Sequence, residues 1–133
     1  MKGLVLQAEW APREGYALSA FEKETGKAIT GNAVWRHPNL TVREVEMPRV
    51  GPTDVLIKVR ACGVCGSDMH FYETDEQGYI LYPGLTKFPV VLGHEFSGQV
   101  VRVGSAVKDL HVGDMVTVEE MIWCGHCISC RNG

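Results

Sequence analysis

Residues 55–70 read Val55-Leu-Ile-Lys-Val-Arg-Ala-Cys62-Gly-Val-Cys65-Gly-Ser67-Asp68-Met-His70, and this stretch decides the fold. Its first part, residues 55–61, is rich in aliphatic and β-branched residues, which predicts a strand. That strand runs directly into two thiols, a hydroxyl, a carboxylate and an imidazole, the groups that bind borderline metals and move protons. The sequence therefore predicts a reactive turn that is supported by a β-sheet.

Further strands are predicted along the chain at residues 3–8, 40–45, 98–104 and 114–118, with a short apolar run at residues 89–92. Glycine and proline turns separate these segments, and helical periodicity is scarce apart from a short helical turn predicted over residues 68–71. Short strands with such turns are typical of a β-barrel or a β-sandwich. We predict a mainly β fold with short helices and irregular loops.

Two segments carry no clear periodicity. Residues 10–32 are broken by a proline and several glycines, and we predict an irregular insertion there. Residues 72–89 read as a loop with four aromatic residues, which would suit the rim of a pocket or would pack the loop against its surroundings. We predict the packing role.

The charge and composition exclude several classes of protein. Sixteen acidic against thirteen basic residues give a net charge of -3, and no basic run is present, which argues against a nucleic-acid partner. The apolar stretches are too short for a membrane span, and the first residues do not resemble a signal peptide. Five cysteines, with three near the end of the sequence, favour metal binding over a disulfide framework. A reducing compartment, the cytoplasm, is the predicted location.

Cys124, Cys127 and Cys130 form a C-x2-C-x2-C motif, whose two-residue gaps let successive thiolates surround one ion at about 2.3 Å. A structural zinc site has four ligands, and His126 is poorly placed to be the fourth because it lies between two of them. We expect the fourth ligand beyond Gly133 and the chain to be a fragment that ends inside this zinc-binding lobe.

Cys65 and His94 each follow a predicted strand, and a thiolate and an imidazole are favoured ligands of a catalytic zinc. An alternative for Cys65 is a redox pair with Cys62, although the βαβ context of such pairs is missing. An alternative for His94 is a hydrogen-bonded core histidine. The neighbouring Glu95 favours the metal site for both, and Cys62 is assigned to packing.

Ser67, Asp68 and His70 follow the first ligand closely. The hydroxyl could hydrogen-bond a substrate oxygen, the imidazole could carry a proton towards solvent, and the carboxylate could orient a ligating histidine. The alternatives are turn or cap roles for Ser67 and Asp68 and an exposed polar role for His70. The remaining histidines are predicted to be surface or packing residues: His37, His111 and His126.

The order and spacing of these motifs resemble the zinc-dependent medium-chain alcohol and polyol dehydrogenases. The resemblance covers residues 3–8 and 40–130, and it rests on residues 63–70, Gly93-His94-Glu95 with Gly98, Val103-Gly104, Gly113-Asp114 and the cysteine motif. The loop at residues 74–86 and the run at 119–124 look most like a cyclitol (inosose-type) dehydrogenase branch.

The resemblance implies that residues 1–133 are the N-terminal part of a GroES-like β-barrel catalytic domain. It implies a catalytic zinc on Cys65 and His94, with Glu95 as a further ligand or close neighbour, and a structural zinc on the C-x2-C-x2-C thiols. Ser67 and His70 would form the proton relay, and Asp68 would be the partner that orients the ligating histidine. The substrate would be a small alcohol or polyol, and NAD(P) would accept the hydride.

The chain also departs from the family pattern. No G-x-G-x-x-G motif follows a strand, so a Rossmann domain and NAD(P)-binding residues are missing, and we expect this chain alone to be inactive. Neither a nucleic-acid nor a membrane partner is expected, and the full-length enzyme should be a homo-oligomer, a dimer or tetramer. The alternative from another class is a stand-alone metal-binding β-barrel without redox activity.

Overall fold

The computed structural model describes residues 1–121 and 123–132. The chain divides into two compact units: unit 1 comprises Met1–Pro48 and Val64–Gly93, and unit 2 comprises Arg49–Gly63 and His94–Gly133. Each unit contains its own three-stranded antiparallel sheet, in the order β2-β1-β4 and β3-β5-β6 respectively. In the described part of the chain, no helix has the length and apolar character that crossing a membrane requires.

Strands outweigh helices, which confirms the predicted mainly β class. The strands are β1 Lys2–Trp10, β2 Trp35–Glu44, β3 Val55–Cys62, β4 Val90–Val91, β5 Phe96–Val103 and β6 Met115–Thr117. The helices are α1 Ala20–Thr25, α2 Gly31–Val34, α3 Gly66–Tyr72 and α4 Ile128–Asn132. All predicted strands exist, and β2 begins five residues earlier than the alternation at residues 40–45 indicates.

Unit 1 is built around the apolar cluster beneath β1 and β2. Its fully buried members include Leu6, Val34 and Ile80, each 0% exposed, and Trp35 packs edge-on against Phe88 with ring centroids 5.0 Å apart. Such edge-to-face pairs contribute about 0.5–1.5 kcal/mol beyond the area they bury. This cluster anchors the loop after α3, because Ile80 and Phe88 both lie in that loop.

The aromatic residues of the loop at residues 72–89 mostly pack inward. Tyr79 and Phe88 are buried and Tyr82 stacks on Phe71 with centroids 4.2 Å apart, which confirms the predicted packing role. Tyr72 differs, since it is 49% exposed.

The predicted irregular insertion at residues 10–32 is wrong over part of its length. Helix α1 begins at the N-cap Ser19, and Glu22 completes a capping box with it. The helix ends at Gly26, whose φ of 62° is the left-handed conformation that glycine adopts readily at this position. The Ser19-x-x-Glu22 spacing is the sequence signature of such a start and marks the helix before any tertiary contact is known.

Glu22 is a buried carboxylate with a full set of donors. Its oxygens accept hydrogen bonds from the Ser19 N–H (2.8 Å), the Ser19 hydroxyl (2.9 Å), the Tyr16 hydroxyl (2.9 Å) and the Ile29 N–H (2.9 Å). The backbone N–H of Ser19 is the main cause that lowers the pKa of Glu22 from 4.5 to about 2, with the other donors adding to it.

This pKa predicts a specific loss of stability in acid. The folded pKa lies below the unfolded one, so Glu22 stabilises the fold above about pH 4.5, and this contribution disappears as the pH falls towards 2. In Glu22→Gln that acid-dependent component should be missing, and the melting temperature at pH 7 should fall. Thermal unfolding between pH 7 and 2, with Glu24→Gln on the exposed side of α1 as the control, measures both. Equal pH slopes in Glu22→Gln and the wild type would contradict the assignment.

Unit 2 has a small core. Among its described residues, Val100 is fully buried, at 0% exposure, and its strand β5 lies between β3 and β6 in the sheet. Cys62, at the end of β3, is exposed, so its predicted packing role is wrong. It ends a run of five exposed residues, 58–62, in β3. His37, His111 and His126 are all exposed, which confirms their predicted surface placement.

Gly104 lies where two backbone segments of unit 2 approach each other closely. Its N–H donates to the Asp54 carbonyl at 2.8 Å, and an added Cβ would lie 2.2 Å from the Gly51 carbonyl oxygen and 2.3 Å from that of Pro52. Backbone carbonyls cannot rotate away as a flexible side chain can. A side chain at this position is therefore excluded.

We expect Gly104→Ala to lower the free energy of unfolding by about 3 kcal/mol. Gly66→Ala is the matched control, because an added Cβ at Gly66 meets no heavy atom within 4 Å and the residue has no positive φ. Denaturant unfolding of both variants tests this. A Gly104→Ala protein as stable as the control would show that the close approach is absent in solution.

Candidate metal centres and relay helix

Three thiols of unit 2 lie at metal-binding distance from one another. Cys124, Cys127 and Cys130 place their sulfur atoms within 4.8 Å of one another, with Sγ–Sγ distances of 3.7 Å for Cys124–Cys130 and 3.4 Å for Cys127–Cys130. Thiolates that share a tetrahedral zinc at about 2.3 Å are about 3.8 Å apart. Helix α4, which carries Cys130, begins directly after Cys127 and turns the last sulfur back towards the other two.

The pKa of the Cys124 thiol is lower than that of an ordinary cysteine. Backbone N–H groups, first that of His126 and next that of Cys127, lower its pKa from 9.0 to about 7. The Cys127 N–H donates to Cys124 Sγ at 3.3 Å. Since metals bind the thiolate, amides that stabilise the anion favour metal binding at neutral pH. The donor chemistry and the spacing of the three sulfurs therefore fit a zinc ion.

His126 stays outside this cluster. Its Nδ1 lies 2.8 Å from the carbonyl oxygen of Cys124, so that ring nitrogen is engaged by the backbone. This agrees with its predicted poor placement as a ligand.

Helix α3 of unit 1 carries the residues that are predicted to move a proton. Cys65 is its N-cap, and the Cys65 N–H donates to Asp68 Oδ2 at 3.0 Å, with Asp68 only 9% exposed. Asp68 is the third residue of the helix and completes a capping box with Cys65; its role beside a ligating histidine stays a prediction. Ser67 and His70 are three residues apart in the helix, which puts their side chains on the same face.

His70 lies at the solvent-facing end of this helix. Its side chain is 55% exposed, and its Nδ1 is 3.6 Å from Glu73 Oε2. Glu73 also lines an open cavity of about 400 Å³ in unit 1, together with His37, Pro38, Tyr72, Thr74 and Gly78. A proton that reaches the imidazole can therefore leave to water.

His94 and Glu95 belong to unit 2, immediately before β5. The Glu95 carbonyl accepts the Gly63 N–H at 2.8 Å, and an added Cβ on Gly63 would lie 2.7 Å from Glu95 Oε2, so this glycine makes room for the carboxylate. His94 Nε2 is 3.2 Å from Glu120 Oε2. The carboxylate can accept a hydrogen bond from the ring when Nε2 carries the proton.

Glu120, which lies beside His94, could not be singled out from the sequence as its neighbour. It is 26 positions from His94, and no spacing rule connects a lone glutamate to a histidine at that distance. Of the predicted catalytic-zinc ligands, Cys65 belongs to unit 1 and the other two to unit 2. Their meeting at one ion stays a prediction.

Comparison with protein families gives one match, the alcohol dehydrogenase GroES-like domain, over residues 51–133. This range holds every predicted metal ligand and relay residue. The chain belongs to the alcohol dehydrogenase GroES-like domain family. The resemblance found from the motifs alone is therefore confirmed.

Relatives of this GroES-like chain are named dehydrogenases. It is 49% identical over 140 residues to scyllo-inosose 3-dehydrogenase of Thermotoga maritima, covering 100% of this chain and 35% of the relative. It is 40% identical over 111 residues to L-threonine 3-dehydrogenase of Pseudoalteromonas atlantica, covering 84% and 30%. A solved Thermotoga maritima structure, provisionally described as an alcohol dehydrogenase, superposes with a TM-score of 0.89 at 49% identity, covering 99% and 35%. The chain thus spans about a third of these relatives' length.

Proposed function

We propose that this chain forms part of a zinc-dependent dehydrogenase that transfers hydride from a small alcohol or polyol, in particular a cyclitol, to NAD(P). The observation that carries the proposal is the 49% identity to scyllo-inosose 3-dehydrogenase, which extends over the whole of this chain. The position of the proposed metal ligands inside the GroES-like match supports it.

The catalytic zinc is proposed to bind Cys65, His94 and Glu95. Chain connectivity supports this set. Gly63 is hydrogen-bonded to Glu95 within unit 2, and Cys65 follows Gly63 by two residues. Consecutive Cα atoms are about 3.8 Å apart, so the Cα of Cys65 cannot be more than about 7.6 Å from that of Gly63. A thiolate, an imidazole and a carboxylate are the donors that zinc prefers.

When bound, zinc supplies Lewis-acid polarisation of the substrate hydroxyl, and NAD(P) supplies the hydride acceptor. Ser67 accepts a hydrogen bond from that hydroxyl. As the serine takes up the substrate's proton, it gives its own hydroxyl proton to His70, which lies on the same face of the helix. His70, being exposed, releases the proton to water. Asp68 keeps the first turn of α3 in place by accepting the Cys65 N–H.

The second zinc is proposed to be structural and to bind Cys124, Cys127 and Cys130. Three sulfurs within seven residues, with separations of 3.4–3.7 Å for two of the pairs, support a site that stabilises this segment of the chain. Zinc bound there would contribute folding energy directly to the surrounding segment.

The complete enzyme is proposed to act on free small molecules, with no nucleic-acid or membrane partner, as a dimer or tetramer. The acidic charge and the family resemblance support this. A cytoplasmic location is proposed because all five cysteines are free thiols, which a reducing compartment preserves.

The test is an assay of the full-length protein with NAD and with NADP against cyclitols, linear sugar alcohols and L-threonine, together with zinc analysis. We expect nucleotide reduction with at least one cyclitol or polyol and two zinc ions per chain. Two zinc ions without nucleotide reduction on any substrate would overturn the proposal in favour of a metal-binding β module without redox activity.

A further inference from the structure

Arg13, in the segment of residues 10–32, makes an unusually complete set of contacts within unit 1. Its Nε donates to the Asn32 carbonyl at 2.9 Å, one terminal nitrogen donates to Gln77 Oε1 at 2.6 Å, and the other pairs with the Asp75 carboxylate. The guanidinium also lies 3.9 Å above the centre of the Tyr79 ring. Arginine's fixed planar fork suits such multiple contacts, whereas a lysine cannot reproduce them.

The partners of Arg13 form one tight turn in the loop after α3. Asp75 Oδ1 accepts the N–H groups of Gln77 (2.9 Å) and Tyr79 (3.0 Å), the Asp75 N–H donates to the Tyr79 carbonyl, and Gly78 has a φ of 82°. The Arg13 guanidinium holds the pKa of Asp75 below its ordinary value. Because Asp75 is also the organiser of the turn, Arg13 stabilises the whole 75–79 turn.

The chain leaving this turn is hydrogen-bonded to the C-terminal end of helix α3, which carries the proposed relay residues Ser67 and His70. The N–H groups of Leu81 and Tyr82 both donate to the His70 carbonyl at 3.0 Å, and that of Leu81 also reaches the Glu73 carbonyl at 3.0 Å. Tyr82 stacks on Phe71, the residue after His70. The backbone of His70 is therefore held by residues 81–82, the segment that leaves the Arg13-stabilised turn.

The segment of residues 10–32 also holds the far side of the same loop. Ala28 and Thr86 exchange two backbone hydrogen bonds of 2.8 and 2.9 Å, and the Gly31 N–H donates to the Gly84 carbonyl at 3.0 Å. Ala28 is completely buried. The segment thus contacts the loop on both sides of the residues that bind His70.

We infer that Arg13 is a positioning residue for the proton relay: through the 75–79 turn and residues 81–82 it fixes the place of His70. This inference rests on the proposed dehydrogenase function. Loss of the Arg13 contacts would leave the fold of β1 and β2 intact but would let the end of α3 move. A displacement of about 1 Å at a catalytic group can lower the rate about 100-fold.

The experiment uses the full-length enzyme with Arg13→Gln, and with Arg43→Gln as the matched control. Arg43 is also half-buried in unit 1 and donates to Thr41 and Gln7, remote from the loop. In Arg13→Gln we expect kcat per folded enzyme to fall about 10- to 100-fold at pH 7 and by less at pH 10, where hydroxide can take the proton. The KM of the polyol should change less than about threefold.

Hydrogen exchange provides a readout that does not depend on activity. Protection of the Leu81 and Tyr82 amides should fall in Arg13→Gln and stay unchanged in Arg43→Gln. Arg13→Lys should recover part of kcat, since a lysine restores the charge beside Asp75 but not the fork. A variant with faster exchange but wild-type kcat and pH profile would overturn the positioning role.

Failure of the proposed dehydrogenase function and failure of the Arg13 inference would give different results. An inactive wild-type enzyme would overturn the proposed function, and this inference with it. An active wild type whose Arg13→Gln form keeps its kcat per folded enzyme and its pH profile would overturn this inference alone. Equal losses in Arg13→Gln and Arg43→Gln would also overturn it, since they would indicate a general effect on stability.

Discussion

Replacing Cys65 or His94 by alanine in the complete enzyme should abolish its activity: we expect kcat to fall at least about 1000-fold, or about 4 kcal/mol in transition-state stabilisation. Each change removes one of the proposed ligands and lets the catalytic zinc dissociate or lose its geometry. Steady-state assays and zinc analysis measure the two effects, and one zinc per chain should remain on the C-x2-C-x2-C thiols.

Two matched controls separate ligand loss from general damage. Cys62→Ala changes the exposed thiol three positions before Cys65, and His111→Ala changes an exposed histidine in the same unit as His94. Both should retain most of the activity and both zinc ions. If Cys65→Ala or His94→Ala keeps full turnover, that residue does not belong to the catalytic site.

Replacing Cys127 by serine should destabilise the protein and leave the relay residues unchanged. A serine hydroxyl is a poor zinc ligand, so the cluster loses one sulfur and, with it, the folding energy that a bound metal contributes. We expect the melting temperature to drop by about 10 °C or more and the zinc content to fall by one ion per chain. Calorimetry of the zinc-loaded protein and metal analysis test this.

Cys62→Ser is the control, because it makes the same chemical change at an exposed cysteine outside the cluster. It should leave both the melting temperature and the zinc content at their wild-type values. An unmoved melting temperature in Cys127→Ser would remove the structural-zinc assignment. Treatment of the wild type with a chelator should reproduce the destabilisation of Cys127→Ser.

The strands were predictable because their signal is local. Alternation and β-branched residues indicated β1, β2, β3 and β5, and each of these strands is present. Helix α1 could also have been found from the Ser19-x-x-Glu22 spacing, and it was missed because the neighbouring glycines suggested a continuous irregular segment. The buried state of Glu22 was beyond prediction, since its donors include Ile29 seven residues away in a non-helical segment.

In the candidate sites too, arrangements of residues close in sequence could be predicted, and contacts between distant residues could not. The thiol cluster could be predicted because a two-residue gap confines successive sulfurs to one neighbourhood, whatever the rest of the chain does. The partners of His94 and Arg13 could not, because Glu120 and Asp75 are distant in sequence and meet them only through the folding of each unit. The exposure of Cys62, at the end of the exposed half of β3, likewise follows from tertiary packing.

By itself the sequence determined the mainly β class, the family and the spacing of the metal-binding thiols, because strand patterns and short ligand motifs act over a few residues. Only the tertiary structure decided how the strands pair into two three-stranded sheets, which side chains surround the His70 backbone, and which carboxylate lies beside His94. Those contacts join residues tens of positions apart. Their geometry depends on how each unit buries its apolar side chains, and a local pattern does not encode it.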